Sequence, residues 1–347
     1  MEMLYSAAVI LATPQRFSRL SEVSARLACE WPAIHKAIAR SESELADLQI
    51  LFSTKDGNAL ANNCSLVLFG SLARCEFSDQ SDLDWILLVD GNYEDSHLSV
   101  VKTVNQKLAA SNKIGPASGG IFGSLVLSDC IVDSIGADKT IRELSLRMLL
   151  LLESVSIGDD KAARRVIHTV LQTYLTRNKN RTWQCLLEDI IHFGKTMGVD
   201  LAGSLPDGSG SGWGLRNAKR RFSRKLIVLT GFLGCQRRHD GFWQGSNDLI
   251  DETRLDELGR FFSRPPLEIL ADELLLRDTS NPVLRKIFSS YDQFLRLLDD
   301  PASRNELQNT SCEFASKSIV YRLVQEISQE FQDAIWQACP AVGTLRL

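Results

Sequence analysis

The sequence predicts an α/β domain that follows N-terminal helices and precedes an all-α domain. Residues from about 15 to 54 place apolar side chains at helical spacing. Short apolar runs then alternate with a helical segment as far as about residue 140. From there the apolar period is helical nearly to the end of the 347-residue chain. We therefore predict N-terminal helices packing on the core at 1–54, an α/β domain at 55–140 and an all-helical domain at 141–347.

The first two parts are predicted to contain two N-terminal helices, three strands and a further helix. Pro32 is expected to separate two N-terminal helices, because proline interrupts a helix interior. Two strand-like runs, "SLVLF" at 65–69 and "DWILLV" at 84–89, flank a short polar segment. A helix at about 96–111 and a third strand-like run, "GGIFGSLVLSD", complete the α/β domain.

Composition and charge limit the class of protein. The net charge is −4, with acidic residues in excess before residue 140 and a small basic excess after it. This balance argues against a broad nucleic-acid-coating surface but allows a local basic channel. The eight cysteines form no C-x-x-C pair, which is typical of reduced thiols. The apolar start "MLYSAAVILA" follows Glu2 and is too short to span a bilayer, so we predict a cytoplasmic protein without a membrane partner.

The first strand leads into a turn with a candidate phosphate cradle. Gly70 allows the backbone to approach a ligand closely, and Ser71 is a candidate cap for a helix starting at Leu72. The N–H groups of a helix start favour an anion. Alone, such a Gly-Ser pair is most often only a turn.

The second strand begins with two acids. Asp82 and Asp84 are two residues apart, so in an extended chain both carboxylates point to one face. Adjacent carboxylates repel unless a cation lies between them, and Mg²⁺ prefers carboxylate and phosphate oxygens. An Asp-x-Asp pair alone is most often a solvated strand end. Its combination with the Gly-Ser turn predicts a phosphate site beside a metal site.

The stretch "GSLARCEFSDQSDLDW" resembles the nucleotidyltransferase superfamily that includes DNA polymerase beta. It is similar to the branch with Gly-Ser-x-x-Arg-x-Glu before Ser-Asp-x-Asp, found in nitrogen-signalling uridylyltransferases and related bacterial proteins. The resemblance implies an α+β fold with a small mixed sheet. It also implies that Gly70, Ser71 and Ser81 bind the nucleotide, and that Asp82 and Asp84 bind two Mg²⁺ or Mn²⁺ ions. A weaker likeness at "GWGLRNAKRRFSRKLIVLTG" implies a helical substrate-binding region.

Two site positions remain open between alternatives. The superfamily usually adds a third carboxylate from a neighbouring strand, for which Asp129 and Asp133 are the candidates. Strand position favours Asp129 as the third metal ligand, although Asp129 is equally well placed to cap a helix. Arg74 is predicted either to bind a triphosphate oxygen or to form an ion pair with Glu76 or Asp79.

A basic segment lies in the helical part of the chain. From Gly208 to His239 there is no acid, and there are eight Lys and Arg residues. On a helix, Arg216, Arg220 and Arg224 fall on one face, where they are predicted to grip a triphosphate or an acceptor nucleic acid. The alternative is the solvated face of an amphipathic helix, whose buried side would include Phe222 and Leu226.

Together these features predict a metal-dependent nucleotidyltransferase. We expect it to move a nucleoside monophosphate from an NTP or dNTP to an acceptor hydroxyl on a protein, a nucleotide or an oligonucleotide, releasing pyrophosphate. The related bacterial enzymes extend this expectation to signalling and phage defence. The alternative is a catalytically degenerate, nucleotide-binding regulatory module. The residues do not select the base, the acceptor or the oligomeric state.

Overall fold

A computed structural model describes residues 16–52, 63–116, 120–133, 135, 140–176, 182–203, 212–237 and 252–345. The chain forms two compact units. The first contains Met1–Phe17, Arg40–Leu186 and Arg237–Pro265, and the second contains Ser18–Ala39, Leu187–Gln236 and Pro266–Leu347.

Helices form most of the described chain. They are α1 (Ser18–Leu27), α2 (Pro32–Phe52), α3 (Gly70–Ala73), α4 (Asp95–Ala110), α5 (Ser128–Val132), α6 (Ile141–Leu152), α7 (Lys161–Thr176), α8 (Thr182–Gly203), α9 (Trp213–Lys219), α10 (Lys225–Gln236), α11 (Glu252–Phe262), α12 (Pro266–Leu276), α13 (Asn281–Asp299), α14 (Pro301–Asn309) and α15 (Ile319–Ala338). A π-helical segment, Arg220–Arg224, joins α9 to α10, and 3₁₀ turns occupy Ala315–Lys317 and Pro340–Leu345. The predicted break at Pro32 and the predicted helix at about 96–111 are both confirmed.

The first unit contains a small mixed sheet. Its strands are β1 (Cys64–Leu68), β2 (Trp85–Val89), β3 (Ser124–Leu127) and β4 (Val155–Ile157), in the order β3-β2-β1-β4. β1 is antiparallel to β2 and β4, and β2 is parallel to β3. The expected α+β arrangement with a small mixed sheet is confirmed for the described residues.

The prediction that everything after residue 140 is helical is wrong. β4 extends the sheet beyond β1, with Leu66 opposite Ile157 and Leu68 opposite Val155. The strand is only three residues long and lies between two strongly periodic helices, so its β-branched residues give little signal. The first unit therefore continues through α6 and α7 to Leu186.

One face of the sheet packs on α2, which precedes β1 in the sequence, and on α4, which follows β2. Leu66, Leu68 and Leu87 form a core cluster with side chains of α2 and α4. The α2 members are Leu45, Leu48 and Phe52, with Leu51 partly buried against them, so this part of α2 packs on the sheet. α1 and the start of α2, Ser18–Ala39, belong to the second unit.

In the second unit, distant acids cap the two N-terminal helices. Glu268 accepts hydrogen bonds from the backbone N–H groups of Arg19 and Leu20, each at 2.9 Å. Asp292 accepts the N–H groups of Ala33 and Ile34 at 2.8 and 3.0 Å. These carboxylates satisfy helix N–H groups that otherwise lack an intrahelical partner. Both acids are therefore structural.

Two further findings concern the cysteines and the lengths of the helices. All eight cysteines are free thiols. None of the helices in the described ranges is long and apolar enough to cross a membrane.

Candidate active site

Gly70 and Asp84 meet where β1 ends and β2 begins. The N–H of Phe69 donates to the carbonyl of Asp84 at 2.9 Å, which continues the β1–β2 pairing by one residue. Gly70 has a φ of +71°, a left-handed value that glycine adopts without strain. A Cβ atom at Gly70 would lie 3.0 Å from Oδ2 of Asp84. The backbone conformation therefore favours glycine, and any other residue would bring its Cβ close to the Asp84 carboxylate.

Asp82 and Asp84 directly precede β2 and alternate in burial with Leu83. Leu83 is buried in the core cluster, whereas Asp82 is exposed and Asp84 is half-buried. The N–H of Leu83 donates to the carbonyl of Ile114 at 2.8 Å, which fixes this segment. This alternation is what two carboxylates opposite a buried leucine would show in an extended chain. The pairing of the two carboxylates stays a prediction.

Both serines of the motif have local structural positions. α3 begins at Gly70 with Phe69 as its N-cap, so Ser71 lies inside the helix and is not the predicted cap. Ser81 closes a turn with Ser78, in which the N–H of Ser78 donates to Oγ of Ser81 at 3.1 Å and the two hydroxyl oxygens are 3.0 Å apart. This turn directs the chain into Asp82.

Arg74 belongs to a buried group of ions. Its Nε donates to Glu76 at 2.9 Å, and its Nη1 donates to Glu153 at 2.5 Å. All three side chains are buried, with exposed fractions of 8%, 3% and 3%. Asp79, the other predicted partner, instead pairs with Arg40 at 2.8 Å. The structure therefore favours the ion-pair alternative for Arg74 over binding of a triphosphate.

Glu153 was not found by sequence reasoning. It follows the last residue of α6 and lies next to the start of β4, which pairs with the end of β1. Its contact with Arg74 spans 79 residues. The only sequence signal is an acid that directly follows a strongly apolar helix, and such an acid is most often solvated.

The structure does not bring Asp129 to the acid pair, so its predicted role as third metal ligand is wrong. β2 and β3 are parallel, with Ile86 opposite Ser124 and Val89 opposite Leu127. Asp84 precedes β2, whereas Asp129 follows β3, so the two lie at opposite ends of these strands. The five residues of β2 between these two ends correspond to about 16 Å along the strand. Asp129 is exposed in the first turn of α5, which agrees with the helix-start alternative.

A phenylalanine lies close to the end of β1. β3 begins at Ser124, and Gly123 directly before it has a φ of +75°, so Phe122 lies outside the β2–β3 pairing. The ring centroids of Phe122 and Phe69 are 5.5 Å apart, which puts Phe122 at the same sheet edge. Among the described residues, no group of three or more His, Cys, Asp or Glu side chains is placed to hold a metal. Asp133 ends α5 and therefore lies at the far end with Asp129.

Cys75 lies within the motif but is not a candidate nucleophile. It is buried, and desolvation raises the pKa of its thiol to about 11. A nucleophilic cysteine requires the thiolate form and access to substrate. Cys75 is therefore a packing residue.

The basic segment lies in the second unit. Its Arg220–Arg224 portion is π-helical, with wider i→i+5 hydrogen bonding, whereas a regular helix was expected. Arg216, Arg220 and Arg224 are all exposed, and the residues between them include the buried Asn217 and Phe222, which agrees with the predicted common face. Arg220 and Arg224, together with Arg221, also line one cavity, whose described lining residues do not include Arg216. Binding of a triphosphate or an acceptor by this face stays a prediction.

Trp213, next to this segment, is buried and packs against Tyr321 with ring centroids 5.1 Å apart. This core position makes Trp213 a packing residue rather than one that stacks a base.

No protein-family model matches the sequence, and no curated protein matches it. The resemblance to nucleotidyltransferases therefore rests on the motif residues between Gly70 and Trp85.

Proposed function

We propose that the first unit is a metal-dependent nucleotidyltransferase domain. It would move a nucleoside monophosphate from a nucleoside triphosphate to a hydroxyl of a protein, nucleotide or oligonucleotide acceptor. The acceptor oxygen forms a bond to the α-phosphorus, the bond from that phosphorus to the bridging oxygen breaks, and pyrophosphate leaves. The hydroxyl proton passes to water.

One observation carries this proposal: the Asp84 carboxylate lies against a glycine with a left-handed φ. A Cβ atom at Gly70 would lie 3.0 Å from Asp84 Oδ2. A solvated strand end has no need of a glycine beside its carboxylate. A phosphate group that approaches the backbone beside a carboxylate-bound cation does need that space.

The residues fit a divalent cation held by Asp82 and Asp84. Two carboxylates on one side of an extended segment, beside a glycine that leaves room for phosphate, form the kind of oxygen-rich donor set that Mg²⁺ or Mn²⁺ takes. When bound, the cation would supply positive charge to the phosphate oxygens. The described residues supply no third carboxylate beside this pair, so a second ion would depend on oxygens of the substrate.

The remaining motif residues would hold the acids in place. The Ser78–Ser81 turn fixes the entry to Asp82, and the bond from Phe69 to Asp84 fixes the second acid against β1. The Arg74 ion group stabilises the chain that follows α3. Rigid support of this kind is what a site for a charged substrate needs.

A second candidate function is a nucleotide-binding regulatory module without transfer. The position of Asp129, the candidate third carboxylate, at the opposite end of β2 and β3 from Asp84 favours it. Such a module would keep the Gly70 cradle and the acid pair but would bind nucleotide without breaking it.

The test is a transfer assay on the pure full-length chain. Each α-labelled triphosphate is incubated with Mg²⁺ or Mn²⁺ and candidate acceptors, and all products are resolved by size. Wild type should transfer label, whereas the variant with both Asp82→Asn and Asp84→Asn should transfer none. Asp129→Asn is a matched control, because it removes an exposed acid at the other end of the same strands. Its turnover should stay within about twofold of wild type, since it leaves the site untouched.

Nucleotide binding, measured separately by calorimetry with a non-hydrolysable triphosphate, distinguishes the two candidate functions. Binding that requires Asp82 and Asp84, together with no label transfer to any acceptor, would identify the regulatory module. Wild-type protein that neither binds nor transfers would contradict both.

A further inference from the structure

The second unit contains a cavity of about 210 Å³ with a concentrated positive charge. The polar and charged lining residues are Asn217, Arg220, Arg221, Arg224, Lys225 and Gln332. Four of these six are cationic, and no carboxylate is among the lining residues that the structure describes. All the lining residues belong to the second unit, whereas Asp82 and Asp84 belong to the first.

The core of the second unit fixes the segment that carries these charges. Phe222, in the middle of the π-helical turn, is buried and stacks on Phe294 with ring centroids 4.4 Å apart. The ring centroid of Phe222 also lies 5.3 Å from that of Phe331. A π-helical turn is rare and is often found at functional sites. Here it brings two adjacent pairs of cations, Arg220–Arg221 and Arg224–Lys225, to one cavity.

Neutral groups, rather than acids, orient two of the cations. Nε of Arg221 donates to the Asn217 side-chain oxygen at 2.8 Å, and Nη1 donates to the Ser328 hydroxyl at 3.1 Å. The hydroxyl of Tyr321 donates to the same oxygen of Asn217 at 3.0 Å. Nζ of Lys225 donates to the side-chain oxygen of Gln332. These contacts fix the directions of the charges without neutralising them.

One cation of the cavity is desolvated. Burial, followed by the charges of Arg221 and Arg220, lowers the pKa of Lys225 to about 8. A bound anion beside Lys225 would offset both the burial of its charge and its repulsion by the two arginines. The absence of any acid between Gly208 and His239 in the sequence agrees with this reading.

The size and lining of the cavity select the class of anion. Ligand pockets for drug-sized molecules are typically about 300–1,000 Å³, so this smaller cavity suits a compact group. Guanidinium groups match phosphate oxygens in bidentate geometry. No aromatic ring is among the described lining residues, whereas proteins that bind single-stranded nucleic acid typically stack bases on aromatic side chains.

We propose that this cavity binds the diphosphate or triphosphate group of a small phosphorylated ligand. Pyrophosphate and the phosphate chain of a free nucleotide share this chemistry. The proposal is independent of nucleotidyl transfer in the first unit, because it rests on residues of the second unit alone.

The test is isothermal titration calorimetry of pyrophosphate into the full-length protein with both Asp82→Asn and Asp84→Asn, in a chelator and without divalent metal. These conditions remove the proposed metal site of the first unit, so binding reports the cavity. Adding Arg220→Gln and Arg224→Gln should weaken binding by about tenfold or more, since each charge-assisted hydrogen bond to phosphate is lost. Adding Arg296→Gln and Arg322→Gln is the matched control, since both are exposed arginines of the same unit outside the cavity. The control should retain wild-type affinity within about twofold.

Lys225→Met gives an independent readout that folding defects cannot imitate. It removes a desolvated charge, so the ligand-free thermal midpoint should rise while the affinity for pyrophosphate falls. A triphosphate nucleotide titrated in the same way distinguishes the two ligand sources, because a nucleotide site should bind it more tightly than pyrophosphate. The proposal is overturned if wild type shows no pyrophosphate binding, or if the cavity and control variants bind equally. It is also overturned if a single-stranded oligonucleotide binds through these arginines and pyrophosphate does not compete.

Discussion

Replacing Arg74 by Met tests whether the arginine of the motif is structural. Its guanidinium bonds Glu76 at 2.9 Å and Glu153 at 2.5 Å, and both carboxylates are 3% exposed. Arg74→Met would leave two buried carboxylates without this cation. Removing one partner of a buried ion pair costs about 3–5 kcal/mol. For a domain of this size that free energy corresponds to a fall in thermal midpoint on the order of 10 °C.

The assay is thermal unfolding followed by circular dichroism, with two comparison variants. Adding Glu76→Gln and Glu153→Gln to Arg74→Met should restore much of the lost stability, because the uncompensated charges are then removed. Arg165→Met is the matched control, since Arg165 pairs with Asp90 at 2.6 Å but is 50% exposed. An exposed pair contributes at most about 1 kcal/mol.

The result that would refute this reasoning is specific. If Arg74→Met melts within about 2 °C of wild type yet loses triphosphate binding, Arg74 is a ligand-binding residue and the ion group is incidental. If all three variants melt together, the buried carboxylates contribute nothing to stability, and the role assigned to Glu153 is wrong.

Three further predictions follow from individual positions. Gly70→Ala should lower the free energy of unfolding by about 1–2 kcal/mol, because alanine is strained at the left-handed φ of this position. It should also weaken metal-dependent nucleotide binding, because its Cβ would displace Asp84. Unchanged denaturation together with unchanged binding would contradict this prediction. Pyrophosphate affinity should fall as the pH rises through about 8, where Lys225 loses its proton. The other groups keep their protonation state in this range, since Arg220, Arg221 and Arg224 stay charged and burial raises the pKa of Tyr321 above its usual 10.0. Lys225→Met gives the baseline, and equal pH profiles for the two proteins would exclude this cause. Asp292→Ala should cost about 1–2 kcal/mol in chemical denaturation, since two helix N–H groups lose their acceptor; an unchanged midpoint would show that water replaces it.

Local patterns account for the parts of the fold that sequence reasoning predicted. Apolar spacing predicted α2 and α4, and two short apolar runs predicted β1 and β2, because burial of one face imposes its period on the sequence. β4 escaped this reasoning because its pairing with β1 depends on residues about ninety positions apart rather than on its own three residues.

The candidate site shows the same division between local and distant signals. Gly70, Asp82 and Asp84 lie within one short motif, and the antiparallel β1–β2 pair that follows directly from it brings Gly70 to Asp84. The position of Asp129 was predicted wrongly because the sequence does not show the direction of β3. That direction decides whether a residue after β3 lies near the Asp82–Asp84 pair or at the other end of the sheet. A parallel β3 puts its carboxyl end beside the carboxyl end of β2, away from the acids that precede β2.

The π-helical turn shows a different limit, because helical spacing alone did not predict a cavity at this segment. Arg216, Arg220 and Arg224 are exposed, as the spacing predicted. The structure adds Arg221 and Lys225, which line one cavity together with Arg220 and Arg224, while Phe222 remains in the core. An extended stripe suits an extended polyanion, whereas four cations around one cavity suit a compact anion. This clustering is the reason to expect a small phosphorylated ligand here rather than a nucleic-acid strand.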